Sequence, residues 1–494
     1  MTSGISRPAG TVRPSGLIEV GILLLVAGLA AHQLLVPPIV GVADQGDYVR
    51  VMQPLGLAHV GTSYEDTVFL WVQPRYRVVP GDTSRLLLSA ELIFAGIARG
   101  LGAALSRDGL FDLRLLGGVH LAFYLAAVWL VLRAARGLPG AARGVVWLAV
   151  LLIAPDVAYI AYLNSFYSEP AAVICLIALL GVALGEVRAE APSRRGLWAY
   201  FVAAALFAAT KAQNYVLALP MIALPVTLLA ARRWRSWSAT VVPLAVVCLL
   251  WTVVLFAHLP DYLRYPAKWN GVFHGLLVDS PSPAEDLAEF GLGPEWARWT
   301  GVDAIQVEGA WVRAPIMEEG GRFSFRQIAW FYLRHPGRLA QVAQRCAQRA
   351  FIWHNPLLGN YTRDSGKPPS TRAPSYTGWS DLENTLFPKR FWFLATFFGL
   401  LLGVVAWELR RGLESPAART ALLGLTVATM AVLAFSVLVV AGGTEDAITD
   451  LYMFQVLFDV CLVFAAAWFA TRFARLLPDP SRGGASHPVT PAPR

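Results

Sequence analysis

The chain has 494 residues, 56% of them hydrophobic and only 15% charged, with a formal net charge of +8. A soluble domain carries roughly 25% charged residues, and here apolar runs of about 20 residues recur, each long enough to cross a hydrocarbon core of roughly 30 Å. The composition excludes a soluble enzyme, and the arginines in short loops read as a topology signal rather than a nucleic-acid one.

Residues 1–15 are rich in Ser, Gly, Pro and Arg and are read as a disordered tail. The run that follows exceeds the roughly 7–15-residue apolar segment of a signal peptide, so it is read as an uncleaved anchor. It is the first of ten expected spans, at about 17–36, 114–133, 145–163, 170–187, 197–212, 215–231, 239–257, 390–408, 420–441 and 451–471. With the N-terminus inside, every short inner connection is basic, through Arg133, Arg136 and Arg143, then Arg188, Arg194 and Arg195, then Arg232, Arg233 and Arg235, then Arg410, Arg411 and Arg419. The tail adds Arg472 and Arg475, as the positive-inside rule requires. Ser84 to Leu105 carries Arg85, Glu91 and Arg99 at helical spacings. It is expected to lie on the outer surface as an amphipathic helix, because an eleventh span would turn the arginine loops outward.

The expected organisation is all-α: a polytopic membrane protein with about ten transmembrane helices plus outer-face amphipathic helices. A seven-span core, 16–257, includes a first outer loop, 37–113. A large outer region follows at 258–389, then a three-span bundle at 390–471 and a disordered tail at 472–494. Loops this long are usually functional. Within the large one, Leu339, Val342, Cys346 and Ala350 recur at helical spacing and predict a second interfacial helix. Cys175, Cys248, Cys346 and Cys461 form no CxxC pair, which argues against a disulfide framework or a zinc site.

Four polar clusters lie on the outer side of this map. The first is Asp44-Gln45-Gly46-Asp47-Tyr48. The second is Asp156 within span three, followed by Asn164, Ser165, Tyr167 and Glu169. The third is Lys211, Gln213 and Asn214, and the fourth is Glu445, Asp446 and Asp450, which reads most simply as a solvated turn. Plain structural readings exist: Asp44 and Asp47 as loop caps, Glu169 as an acid in a first helical turn, Lys211 as a snorkelling side chain. Asp156 resists one, since an ionisable group at a span's centre costs at least ~2.5 kcal/mol and normally faces a cavity. On a continuous helix Asp156, Ile160, Leu163 and Tyr167 share a face, which predicts a wet vestibule.

Acids, amides and a lysine at one membrane face suit the transfer of a sugar from a polyprenyl phosphate. The leaving group is a stable phosphate, so no strong general acid is needed. One carboxylate, Asp44 or Asp47, deprotonates the acceptor hydroxyl, with Asp47 favoured. Lys211 and Arg85, with Arg75 or Arg77 as substitutes, hold the departing phosphate. Asn164, Tyr167, Asp156, Gln213 and Asn214 are the candidates to bind substrate. Glu169 and the remaining acid are candidates to hold a divalent cation, Mg or Mn, through oxygen ligands. One displacement by one activated hydroxyl predicts inversion.

"DQGDYVRVM" at 44–52, "FDLR" at 111–114, "YLNSFYSEP" at 162–170 and "YLRHPGRL" at 332–339 resemble recurring segments of the GT-C superfamily of integral-membrane glycosyltransferases. Within it the sequence is most similar to the WsfD-type bacterial hexosyltransferases of surface-glycan synthesis. The resemblance implies a bacterial plasma-membrane enzyme with both termini cytoplasmic and an extracytoplasmic active site. It implies a polyprenyl-phosphate-sugar donor and a glycan or glycolipid acceptor, with membrane lipids and no nucleic acid as partners. It also puts Asp44 or Asp47 in the place of the catalytic acid and Glu169 in that of an acid some branches use for a metal. No WWD-type segment is present, although "GWSD" at 378–381 echoes one, so transfer to protein asparagine is disfavoured. The rival readings are a lipid-linked glycan polymerase or flippase and a secondary transporter. The last predicts internal repeats with broken midplane spans, and no repeat is evident.

Overall fold

A computed structural model describes residues 14–61, 63, 67–84, 86–105, 108–302, 304, 321–441 and 447–476. The principal elements, in chain order, are α1 (Pro14–Leu35), β1 (Leu57–His59), β2 (Arg75–Val78), α2 (Glu91–Leu105), β3 (Leu110–Asp112), α3 (Leu113–Ala135), α4 (Gly140–Ile153) and α5 (Val157–Ile160). Then come α6 (Glu169–Arg188), α7 (Arg194–Ala208), α8 (Asn214–Ala230), α9 (Ser238–Ala257), α10 (Phe325–Arg334), α11 (Pro336–Arg349), α12 (Gly378–Leu386), α13 (Phe391–Leu409), α14 (Pro416–Ala441) and α15 (Tyr452–Ala474). Among the described residues seven helices are long and apolar enough to cross a membrane, or up to eight if one bent pair is a single span. The chain is a multi-pass, helical membrane protein. Nine of the ten expected spans each become one helix, though α7 and α8 are short, with 15 and 17 residues.

The expected third span is not continuous. α4 stops at Ile153, and the chain bends by 67° before Val157–Leu163. Pro155 has no N–H to continue the helical ladder, and Asp156 caps α5 by accepting from the Ala158 N–H at 2.9 Å. The helix face expected to join Asp156 to Tyr167 does not form.

Close helix approach depends on small residues. α3 packs along α1 and α6, while α14 and α15 pack against α6 and α4 respectively. A Cβ at Gly181 of α6 would lie 2.9 Å from the Leu130 carbonyl carbon of α3, the kind of contact by which membrane helices pack without a hydrophobic driving force.

The bundle has two chemically distinct ends. At one, Arg136 pairs with Glu19, Arg188 reaches the Gly137 carbonyl and Thr420 Oγ1, and Arg233 donates to the Glu190 carbonyl at 2.7 Å. Arg419 does more than mark topology. It is buried and donates to the Val187, Arg188 and Ala189 carbonyls, which the end of α6 leaves unpaired, and to the Leu413 and Glu414 carbonyls of the loop before α14. Each buried acceptor left without a partner costs about 1–3 kcal/mol. Arg419→Ala is therefore expected to lower stability by about 3 kcal/mol or more, read as a lowered thermal midpoint in detergent, and Arg419→Lys should recover only part of it.

The 37–113 segment holds a feature the sequence reading did not anticipate, an antiparallel sheet ordered β1-β2-β3. The "FDLR" segment ends it: Asp112 accepts from the Arg114 N–H at 2.9 Å and so caps α3. α2 packs on α3 and turns Glu91 inward, 2.9 Å from His120 Nε2.

The 258–389 segment is folded onto the bundle. α11, the expected second amphipathic helix, buries Val342, Cys346 and Ala347 against α13 and α14. The "YLRHPGRL" residues are fixed by acids of the same segment: Arg334 and His335 by Glu289, Arg338 by Asp286.

α12 closes the segment over the helix break. The Trp379 and Ser380 N–H groups donate to Asp156 Oδ2 at 2.9 and 3.0 Å. Trp379 Nε1 reaches Asp459 at 3.0 Å, Tyr159 donates to Asp459 at 2.5 Å, and Trp353 Nε1 donates to Glu383 at 2.5 Å. Burial, with Asp459 beside it, pushes the Glu383 carboxyl well above the usual carboxylate range. The folded protein thus keeps a proton that the unfolded chain releases above 4.5. Stability from this group is full below that value and declines as pH rises toward the raised value of the folded protein. Glu383→Gln is expected to flatten the fall in thermal midpoint between about pH 6 and about pH 9; an unchanged slope would contradict a protonated Glu383.

Candidate active site

The loop after α1 is shaped by its own first acid. Asp44 Oδ1 accepts from the N–H groups of Gly46 and Tyr48 at 2.7 and 3.1 Å. This turn places Gly46 at φ +102°, a conformation open to glycine and strained for L side chains. The glycine between the two acids is thereby explained. The turn leads into a short helix, Val49–Met52, and Asp47 pairs with Arg50 at 2.8 Å.

Neighbouring segments pin the loop. The Tyr167 hydroxyl donates to the Ala43 carbonyl and accepts from the Gln45 N–H, both at 2.9 Å. The Tyr48 hydroxyl donates to the Val42 carbonyl at 2.5 Å. Asn164 Nδ2 donates to the Leu34 and Val40 carbonyls. It fits because α3 carries Gly117 there, where a Cβ would sit 1.9 Å from Asn164 Oδ1. From the 258–389 segment, Asn360 Nδ2 donates to the Gly41 carbonyl at 2.7 Å.

The two acids end in different surroundings. Asp44 is 4% exposed, and its Oδ2 lies 3.1 Å from His59 Nε2. The Asp47 side chain is 32% exposed. One is an anchored carboxylate and the other a carboxylate a substrate can reach.

Lys211 supplies the cation. Its Nζ is 2.9 Å from Glu169 Oε1 and 3.2 Å from Asp450 Oδ1. Burial disfavours the charged ammonium, but the Glu169 and Asp450 carboxylates, with Asp47 adding to them, outweigh it and hold Lys211 above its ordinary value. Lys211 is therefore charged at neutral pH. Burial pushes the Tyr167 hydroxyl well above the usual phenol range, and Tyr48, Asp44 and Asp47 push it further. Asp44, Asp47, Tyr167, Glu169, Lys211 and Asp450 thus share one electrostatic neighbourhood.

Other expected site residues fall elsewhere. Arg75 and Arg77 are exposed on β2, whereas Tyr76 between them is buried against His59 and Phe166; strand alternation points the arginines away from that packing. Arg77 Nε donates to the His59 carbonyl at 3.0 Å. Arg85, Glu445 and Asp446 lie outside the described residues. Asp156 lines no vestibule, because three backbone N–H groups use its carboxylate and it is 1% exposed. Asn214 is buried with Nδ2 on Thr210 Oγ1 at 2.8 Å, and Gln213 is half-buried at the start of α8. Two contributors were missed. His59, in a short apolar strand, gave no signal beyond being a lone histidine. Asp450 was read with its neighbours as a solvated turn.

Among the described residues no group of three or more His, Cys, Asp or Glu side chains is placed to hold a metal ion. Glu169 is engaged with Lys211, Asp44 with two amides and His59, and Asp47 with Arg50.

A search of curated proteins finds no match. Among solved structures, the archaeal oligosaccharyltransferase AglB from Archaeoglobus fulgidus, in complex with an inhibitory peptide and a dolichol-phosphate, is similar at a TM-score of 0.41 and 13% identity. The alignment covers 96% of this chain and 52% of AglB, so the chain spans about half that protein's length. Residues 11–482, from the start of α1 past the end of α15, match the family described as the YfdI N-terminal transmembrane domain, and the chain belongs to that family.

Proposed function

We propose that the protein is an inverting glycosyltransferase of the GT-C type, related to the WsfD-type hexosyltransferases, that moves a sugar from a polyprenyl phosphate to a glycan or glycolipid acceptor. The observation that supports it is an accessible carboxylate, Asp47, in the same cluster as a lysine held charged by two further acids. Asp47 accepts the proton of the acceptor hydroxyl as its oxygen attacks the anomeric carbon. The bond from that carbon to the phosphate oxygen breaks on the opposite face, and the phosphate leaves against Lys211. Before the donor arrives, Glu169 and Asp450 keep the ammonium in place. Asp44 and His59 hold the turn that presents Asp47. No step in this scheme requires a metal ion. The arginine-rich end of the bundle faces the cytoplasm by the positive-inside rule, so the reaction occurs on the extracytoplasmic side.

The test incubates purified protein in lipid nanodiscs with a panel of polyprenyl-phosphate sugars and an acceptor extract. Release of polyprenyl phosphate with inversion at the anomeric carbon is expected. No release from any donor, or product of retained configuration, contradicts the proposal. Transfer is expected to persist after exhaustive chelation. A loss restored by Mg or Mn would instead assign Glu169 to a cation.

A further inference from the structure

We infer that the arginine-rich end of the bundle holds an anionic phospholipid of the surrounding bilayer. A cavity of about 460 Å³ runs between α3, α4, α6, α14 and α15, within the roughly 300–1,000 Å³ of ligand cavities. Its walls are apolar, with Val128 and Val131 of α3, Leu180 and Leu184 of α6, Val427 of α14 and Phe464 of α15 among them. Along α15 and its C-cap the lining extends from Val456 to Arg475; at about 1.5 Å per residue this approaches the ~30 Å of a hydrocarbon core. Those walls accept the acyl chains of any lipid.

The rim selects the headgroup. Arg188, Arg411, Arg472 and Arg475 gather at one end of the cavity with Glu408. Glu408 is buried, accepts from Trp468 Nε1 at 2.7 Å, and pairs with both Arg411 and Arg472. It fixes two guanidiniums at the mouth while using a minority of the five N–H donors each carries. Arg475 is exposed, and its side chain has no partner among the described residues. Four cations against one carboxylate leave a net positive rim, and guanidinium groups bind phosphate oxygens in bidentate pairs. A phosphodiester headgroup with its acyl chains in the groove satisfies both halves of the site.

Two other occupants fit less well. A polyprenyl phosphate seated here would hold its phosphate at the end of the bundle opposite Lys211. The chain beyond Arg475 carries Asp479 as its one acidic side chain, against Arg482 and Arg494, too little negative charge to neutralise the rim. The inference stands apart from the reading of the acid cluster.

The test uses the full chain, delipidated in neutral detergent, with native mass spectrometry and thermal midpoints recorded on adding phosphatidylglycerol, phosphatidylcholine or undecaprenyl phosphate. Phosphatidylglycerol is expected to bind one per chain, about tenfold or more tighter than phosphatidylcholine. Arg475→Glu combined with Arg411→Gln should remove that preference, and Ala467→Trp, which fills the groove, should weaken both phospholipids. Equal binding of the two phospholipids overturns the inference. So does tighter binding of undecaprenyl phosphate that the same variants weaken, which would assign the groove to an isoprenoid lipid. If a groove variant misfolds, Arg475→Glu alone decides: an unchanged preference for phosphatidylglycerol removes the headgroup assignment.

Discussion

Asp47→Asn is expected to lower kcat by about 10²–10⁴, the range that a positioned general base contributes, with expression, membrane insertion and thermal midpoint little changed. The substitution removes a proton acceptor from an accessible, surface-paired side chain, and such pairs stabilise a fold by only about 0–1 kcal/mol. Asp44→Asn should behave differently. Its Oδ1 can still accept the two amide N–H groups, but its second oxygen becomes a donor facing His59. The expected result is a lower midpoint and a smaller loss of kcat than in Asp47→Asn. Steady-state kinetics on both variants, beside their melting curves, separates the roles. An inactive but well-folded Asp44→Asn with a fully active Asp47→Asn would exchange them.

Lys211→Met is the second large effect, about 10²–10³ in kcat if the ammonium carries the departing phosphate. Taken alone the variant is ambiguous, because it also leaves Glu169 and Asp450 facing each other without the cation between them. The pair Lys211→Met with Glu169→Gln resolves this. Removing one of the acids should restore much of the thermal midpoint, while activity stays lost because no positive charge has returned. Recovery of transfer along with stability would make Lys211 a structural pin and leave the phosphate without a partner. Lys211→Arg is expected to retain part of the rate, since a guanidinium keeps the charge in a wider geometry.

The helices were legible because hydrophobic length is a one-dimensional signal, and every long apolar run but the third became one continuous helix. The break before Asp156 was also written in the sequence, as a Pro-Asp pair, but the apolar residues on either side outweighed it. The true partners of Asp156, the Trp379 and Ser380 amides, lie 223 and 224 residues away, and no local spacing could have named them. The strands escaped notice because three or four residues carry too little alternation to register. At the site, types were easier to read than roles. Asp44 and Asp47 stand in equivalent sequence surroundings, and only tertiary packing buries one and leaves the other accessible. Lys211 was visible as a lone cation at a helix end, yet the acids that fix it come from the start of α6 and a short helix, Ala447–Asp450, before α15.

Gly46 makes the separation of those two acids a question of handedness. Nothing lies within 4 Å of where an L-alanine methyl group would point, so crowding would not explain a defect there. Only the backbone angle of +102° would. A D-alanine installed by chemical ligation favours that angle and should preserve the turn, whereas the L isomer should displace Asp47 from its anchored partner. The placing of the reacting carboxylate would then be governed by chirality at a position that has no stereocentre of its own.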